Sequence, residues 1–405
     1  MKLRRPNSKI FMLVFLGTLS AFGPFVMDMY LPTLPEMTEY FRTSSSMVQL
    51  GLTTSMIGLA VGQLVFGPLS DRYGRRRPLI IAMTLFLFAT AGCIFASSIS
   101  QFVAMRFIQG VAGSGGVVLS RSIATDKYSA MELATMLGMI GAINGIATVA
   151  APIAGGLTAG LGGWKGIFWC LMGLGAVLLA CSVRMKESLS GSRMKKNSRE
   201  AMLGGFGEVL KNKKFVLYIT QYGLTMAVLF TNVASAPFIM QDHYGISPMM
   251  FSLVFAVNAV AMAVTTALAS RFRTMKRALR AGSDGMLAVS VVLCGALVLG
   301  CGFWVYEILL FLLLSMVGLS FTASNALAME SEHDNAGIAS ALLGTAGYAF
   351  GGLVSPLASI GDMTVSAGIL FIVFSLCSCI CTRFAISDRN PKQFTTFANT
   401  VESSW

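Results

Sequence analysis

Long apolar runs alternate with short polar gaps along almost the whole chain. A transmembrane helix needs about 20 mostly apolar residues, and twelve runs meet that length. They lie at 9–33, 47–69, 78–97, 101–122, 133–158, 164–184, 215–240, 249–271, 279–301, 305–328, 335–360 and 364–384. The pattern predicts an all-α membrane protein with twelve transmembrane helices.

One polar gap, at residues 185–214, is much longer than the others and separates six helices from six. Weak internal repetition supports this division, because the basic loop at 70–77 is echoed at 270–277. We therefore predict two six-helix pseudo-repeats. The predicted parts are an N-terminal bundle at 1–184, a cytoplasmic linker at 185–214, a C-terminal bundle at 215–385 and a cytoplasmic tail at 386–405.

The positive charges predict the orientation. With both chain ends in the cytoplasm, 27 of the 30 Lys and Arg residues fall in the predicted inside segments, as the positive-inside rule requires. We expect a multi-pass protein of a bacterial inner membrane, monomeric, with both termini cytoplasmic. The net charge of +12 then reflects topology, and we do not expect nucleic acid as a partner.

Only 12% of the residues are charged, against about 25% in soluble domains. No segment outside the membrane looks like a catalytic domain, and no cluster of residues suggests a metal site or a catalytic nucleophile. We therefore expect that the chain is not an enzyme and needs no cofactor.

Two charged residues of opposite sign interrupt the apolar runs. Asp28 lies near the outer end of the first helix, and Arg106 lies at a similar depth in the fourth. Each such residue costs several kcal/mol in a bilayer unless it is paired or faces water. We expect both to face one polar cavity, where they are paired or exchange partners. A simple salt bridge that fastens the two helices is the alternative.

The strongest local pattern is the loop Gly67-Pro68-Leu69-Ser70-Asp71-Arg72-Tyr73-Gly74-Arg75-Arg76-Arg77. It resembles the signature loop between helices 2 and 3 of major facilitator transporters. The resemblance implies that this loop latches the two halves in one access state, with the carboxylate hydrogen-bonded to arginines. The residues assigned to the latch are Gly67 for close packing, Gly74 for a tight turn, and Asp71, Arg72 and Arg75.

The run from Asp28 to Pro35 is similar to the Bcr/CflA drug-resistance branch of that superfamily, and so are the stretches 235–238 and 324–328. The members of this branch are proton-coupled exporters of bicyclomycin and phenicol-type antibiotics. The resemblance implies a drug:proton antiporter, and the similarity of residues 106–113 to the family's helix 4 motif links Arg106 to proton transfer. We expect Asp28 to be the protonation site, so that the two residues couple proton transfer to transport. The helix 5 pattern matches less well, since the family has Gly where this chain has Ala151.

Further polar and small residues in the helices are candidates for bending and for contact with substrate. The bending candidates are Pro152, Gly155 and Gly156. The candidates for a substrate cavity are Tyr30, Gln109, Gly113, Asn144, Tyr222, Asn232, Asn258, Asn325 and Tyr348. The Asn residues, Tyr222 and Tyr348 could instead make hydrogen bonds between helices. We expect small amphipathic or neutral drug-like molecules and protons as partners, within a lipid bilayer.

Three other functions stay open. The chain could export a natural metabolite such as a nucleoside or sugar, with drugs incidental. It could import a solute on the same fold, and the sign of pH-driven flux would decide. It could also be a receptor or channel without coupled transport, although the intact loop pattern at 67–77 argues against this.

Overall fold

The protein is almost entirely helical in a computed structural model that describes residues 9–128, 130–189, 207–332 and 336–387. Within those ranges no β-strand occurs, in agreement with the predicted all-α class. Residues 190–206 of the predicted linker and 388–405 of the predicted tail lie outside the described ranges.

We number the main helices α1 to α12 along the chain. In the first half they are α1 Lys9–Asp28, α2 Leu34–Phe41, α3 Ser45–Tyr73, α4 Arg76–Ile94, α5 Ile99–Lys127 and α6 Ala130–Arg184. In the second half they are α7 Lys213–Phe238, α8 Pro248–Leu268, α9 Met275–Val298, α10 Phe303–Ser331, α11 Ala336–Val354 and α12 Met363–Ser387.

The predicted number of membrane spans is consistent with these helices. Ten described stretches are long and apolar enough to cross a membrane, and Ile338–Val354 is a shorter apolar helix. One of the ten, Thr135–Arg184, has 50 residues and would be about 75 Å long, more than twice the bilayer core of about 30 Å. Gly162 and Gly163 break it with non-helical backbone, so α6 supplies two spans.

The first predicted span, 9–33, is not one continuous helix. It ends at Asp28, continues through a 3₁₀ turn at Leu31–Thr33, and resumes as α2. Pro32 explains the break, because it has no N–H to donate to the Asp28 carbonyl and it disfavours α-helical backbone at the preceding residue. The chain therefore places an ionisable side chain at an interruption of a membrane helix.

Packing separates the helices into two groups. Helix α5 packs against α1, α3 and α4, and α6 against α1 and α4; in the second half, α7 packs against α10, α11 and α12, and α9 against α10 and α12. The extensive contacts between the groups are those of α3 with α11 and of α6 with α8. In the described chain, α1 and α5 of the first group and α7 and α10 of the second make no comparably extensive contact with the opposite group.

Two hydrogen bonds of the described residues join the two groups at the outer end, which is the end that the predicted orientation places outside the cell. The amide nitrogen of Gln49 donates to the Ala234 carbonyl at 3.2 Å, and that of Gln241 donates to the Pro32 carbonyl at 3.0 Å. The segment that follows Asp28 is thus held against the second group of helices.

Candidate functional site

Arg106 is completely buried in α5, and its guanidinium group is held by residues of three elements. It donates to the side-chain oxygen of Gln109 and, at 3.1 Å, to the Val26 carbonyl of α1. The Tyr30 ring lies under it, with 4.3 Å between the guanidinium carbon and the ring centre. Polar acceptors and an aromatic face can stabilise a buried cation, so Arg106 is anchored without a carboxylate.

Gln109 extends this network to α4. Its amide nitrogen donates to the Thr90 hydroxyl at 2.8 Å, and that hydroxyl donates to the Phe86 carbonyl at 2.7 Å. Gln109 is buried, and both polar atoms of its side chain are hydrogen-bonded to neighbouring side chains. Its place is the support of Arg106 rather than the wall of a cavity.

Asp28 lies two residues from the Val26 carbonyl that Arg106 binds, but the two charged groups form no ion pair among the described residues. The carboxylate is half-buried. It lies close enough to the hydroxyls of Tyr30 and Tyr348 to act on them electrostatically. Asp28 and Arg106 thus share one region of the fold with different immediate partners, and their coupling stays a prediction.

Helix α6 closes tightly on the backbone beside Asp28. A methyl group at Gly155 would overlap the Met29 carbonyl oxygen, and one at Gly156 would crowd Ser252 of α8. The residues with non-helical backbone in α6 are Gly162 and Gly163, whereas Pro152 lies in its continuous helical part. Gly155 and Gly156 therefore permit close approach, which is a different role from the predicted bending.

At the inner end, Arg75 gathers the acidic residues of its own half. Its guanidinium donates to Asp71, to Asp126 at 2.8 Å and to the Ser70 hydroxyl at 2.7 Å. Its backbone N–H donates to Glu187 at 2.8 Å. Every described partner of Arg75 belongs to the first group of helices, so these bonds tie α3, α5 and the end of α6 together. A latch between the halves stays a prediction.

Three other residues assigned to the latch have different settings. Gly74 has a φ of 86°, which supports its assignment to the tight turn because few other residues adopt this backbone. Arg72 is exposed and stacks near Tyr73. Gly67 does not mediate close packing in the described part of the chain, since a methyl group there would meet no atom within 4 Å.

The remaining candidates for the substrate cavity divide by burial. Gly113 is a packing position between Phe22 and Leu59, and Asn232 and Asn258 are buried in the second group. Tyr222 packs against Gly347, and its ring contacts that of Phe321 with 5.3 Å between ring centres and a tilt of 40°. The partly exposed candidates are Asn144, Asn325 and Tyr348.

Two charged residues, Glu307 and Arg121, were not predicted as site residues from the sequence. Glu307 is buried near the outer end of α10 and faces Asn258 of α8, although neither polar atom of that amide makes a hydrogen bond of ordinary geometry. The sequence feature that could have identified Glu307 is that it is a single carboxylate in the apolar run 305–328. Arg121 lies at the inner end of the predicted helix 101–122, where its charge counted only toward the orientation, whereas α5 continues to Lys127.

Arg121 differs from Arg106 in being exposed. Its charge acts on the hydroxyls of Tyr222 in α7 and Tyr348 in α11, and no described carboxylate pairs with it. The site therefore contains a carboxylate, Asp28, and a second arginine besides Arg106, with tyrosines of the opposite group facing both.

Residues 13–356 match the family model of the Major Facilitator Superfamily. The transporter YdgK of Bacillus subtilis is 36% identical over 356 residues, which cover 86% of this chain and 88% of the relative. The bicyclomycin resistance protein homolog of Haemophilus influenzae is 28% identical over 392 residues, covering 91% and 94%. Further relatives are named as chloramphenicol and multidrug resistance proteins.

Among solved structures, the nucleoside transporter NupG (D323A mutant) superposes with a TM-score of 0.72, covering 93% of this chain and 99% of that one. At 15% identity this likeness bears on the fold alone. Because the family model spans most of the chain, this multi-pass membrane protein belongs to the Major Facilitator Superfamily, and its relatives fit the Bcr/CflA drug-resistance family within it.

Proposed function

We propose that this transporter exports amphipathic drug-like molecules in exchange for protons. The observation that carries the proposal is the setting of Asp28. Its carboxylate ends a broken membrane helix, faces Tyr348 across the two groups, and lies beside a buried arginine that is held by other acceptors. The drug-resistance names of the relatives support the substrate class.

In this mechanism Asp28 carries the proton. An ionised carboxylate inside a membrane protein is stable only when polar groups or water surround it, so access to water and occupancy by substrate change its affinity for a proton. Substrate entering from the inner side competes with the proton for this region. Arg106 keeps α1 attached to α5 through the Val26 carbonyl while the carboxylate changes its charge.

Alternating access follows from movement of one group of helices against the other. The groups meet mainly along α3–α11 and α6–α8, and those two contacts are suited to act as the axis. Hydrogen bonds from Gln49 and Gln241 hold the outer end together. This arrangement favours a cavity that opens toward the inner side, from which an exporter collects its substrate.

The proton gradient supplies enough energy without a cofactor. One proton crossing about 100 mV releases roughly 2.3 kcal/mol, and one pH unit adds about 1.4 kcal/mol. Since each 1.4 kcal/mol is about tenfold in concentration, one proton per neutral solute could sustain a gradient of a few hundredfold. The distribution of Lys and Arg residues supports a location in a bacterial cell membrane with both chain ends inside.

The test is proton-driven uptake into everted vesicles by Asp28→Asn. We expect uptake to fall to the level of empty vesicles, because the isosteric amide cannot exchange a proton, while binding of substrate without a gradient persists. Asp362→Asn is the matched control, since Asp362 caps α12 by accepting the Thr364 and Val365 backbone N–H groups and Asn caps equally well. Full uptake by Asp28→Asn would overturn the assignment.

A further inference from the structure

Arg121 lies toward the inner end of the region between the two groups of helices, and the proposed proton coupling does not use it. Arg121 lies on α5 one turn beyond Val117, and α5 packs extensively against helices of its own group but not against α7 or α11 in the described chain. The charge of Arg121 nevertheless acts on Tyr222 and Tyr348 of those two helices. Arg121 is itself exposed, so a gap separates it from the second group.

Contacts at the next turn fix where this gap lies. A methyl group at Gly23 of α1 would lie 3.5 Å from Val117 and 3.6 Å from the Tyr348 hydroxyl. Helices α1, α5 and α11 thus meet at that level. Arg121 lies below the meeting point, toward the inner end, and Asp28 lies above it, toward the outer end. Tyr348 stands between them and is close enough to interact electrostatically with Asp28.

The nearby acidic residues at the inner end already have partners. Asp71 and Asp126 accept hydrogen bonds from Arg75, Glu187 accepts from the backbone N–H groups of Arg75 and Arg76, and Glu132 pairs with Lys9. A guanidinium group presents five N–H donors in a fork that matches a carboxylate or phosphate. Within the described part of the chain no carboxylate pairs with Arg121, so its donors are available to a ligand.

The walls beside Arg121 are aromatic and apolar. The ring centres of Tyr222 and Phe321 lie 5.3 Å apart, and those of Tyr348 and Phe230 lie 6.4 Å apart. Met226 lies beside Gly347 in the same place. Such a surface accepts an aromatic body of variable shape, while the tyrosine hydroxyls offer two more hydrogen-bond donors.

We propose that Arg121, Tyr222 and Tyr348 form a subsite for the anionic end of an aromatic amphipathic substrate. This inference rests on the proposed export function and deepens it by naming a substrate class. Arg121 attracts the anionic end and Asp28 repels it, so the ligand binds with that end toward the inner side. The two tyrosine hydroxyls close the subsite from the second group of helices.

The experiment measures equilibrium binding of three dansyl probes to the full chain in phosphatidylcholine nanodiscs, with empty nanodiscs subtracted. Dansylglycine is an anion, dansylamide is neutral and dansylcadaverine is a cation. We expect Arg121→Gln to weaken the binding of dansylglycine about tenfold or more, as loss of a charge-assisted bidentate contact predicts. The binding of dansylamide should weaken less than about twofold. Arg121→Lys should restore part of the loss, since it keeps the charge without the fork.

Arg280→Gln is the matched control, because Arg280 is an exposed arginine at the inner end of α9 in the second group. It should bind all three probes as the unmodified chain does. Tyr222→Phe and Tyr348→Phe test the subsite without changing charge, and each should weaken dansylglycine more than dansylamide.

Equal weakening of all three probes by Arg121→Gln, or no weakening of any, would overturn the proposal. An effect that arises only after anionic phosphatidylglycerol is added would overturn it too, since Arg121 would then serve the lipid surface. Binding is measured without a gradient, so failure of proton coupling at Asp28 leaves this result unchanged and the two failures are distinguishable.

Discussion

The two arginines of α5 lie about four turns apart on one helix and have opposite settings. Arg106 is 0% exposed, with a backbone carbonyl, an amide oxygen and an aromatic ring around its guanidinium. Arg121 is exposed and faces two tyrosines of the other group across a gap. An intramembrane cation is therefore a part of the framework where protein groups hold it, as they hold the Arg106 guanidinium at all but its Nε, and it is available to a ligand where they do not.

The most direct way to break this comparison is to remove both guanidinium groups in separate variants. Arg106→Met keeps side-chain bulk but leaves the Val26 carbonyl and the Gln109 oxygen without a donor. Each unsatisfied buried group costs about 1–3 kcal/mol, so for the two groups we expect a loss of about 2–6 kcal/mol of unfolding free energy, together with loss of proton-driven uptake.

Arg121→Met is the paired variant and should change stability by less than about 1 kcal/mol, as surface substitutions do. Denaturation midpoints of the purified proteins in detergent measure both effects. Equal destabilisation by the two variants would contradict the distinction between a framework arginine and a ligand arginine.

The same contrast occurs between two arginines of the inner loop. Arg75 bonds to Asp71, Asp126 and Ser70, whereas Arg72 contacts the ring of Tyr73. We expect Arg75→Ala to lower stability by about 1–3 kcal/mol, less than for a fully buried pair because the Asp71 side chain is 34% exposed. Arg72→Ala should cost under about 1 kcal/mol. Thermal melting of both variants checks this order, and a larger loss for Arg72→Ala would reverse it.

Close packing near Asp28 can be tested through α6. A methyl group at Gly155 would overlap the Met29 carbonyl oxygen, whereas one at Gly160 would meet no atom within 4 Å. We expect Gly155→Ala to cost about 1–2 kcal/mol through overpacking and to slow uptake by displacing the Asp28 segment. Gly160→Ala should be neutral or slightly stabilising, because Ala favours the helix over Gly. Similar melting and uptake in both variants would contradict the tight contact.

The smallest expected effect concerns Glu307, which extends the comparison to the second group. This buried carboxyl faces Asn258, and glutamine retains its size and hydrogen-bonding capacity. Glu307→Gln should change stability by less than about 1 kcal/mol and leave uptake within about twofold, in contrast to Asp28→Asn. A loss of uptake comparable to that of Asp28→Asn would instead make Glu307 a second proton carrier.

The sequence by itself determined the class and the number of spans, because apolar runs of about 20 residues have few alternatives to a membrane helix. It also identified the family, through the loop at 67–77 and the run that begins at Asp28. It singled out Asp28 and Arg106, since charges in apolar runs need a reason. The positive φ of Gly74 fits its assignment to a turn, and such a backbone preference is a local property.

Only the tertiary structure decided the partners of those residues. Asp28 and Arg106 agree in depth, but helix rotation and the break before Pro32 direct the arginine to the Val26 carbonyl. The predicted fourth helix ended at 122 whereas α5 continues to Lys127, because the end of α5 is not marked in the sequence. Its availability depends on packing between helices far apart in the chain. Local patterns specify which residues enter the membrane, whereas the contacts between helices decide which of them remain free to bind.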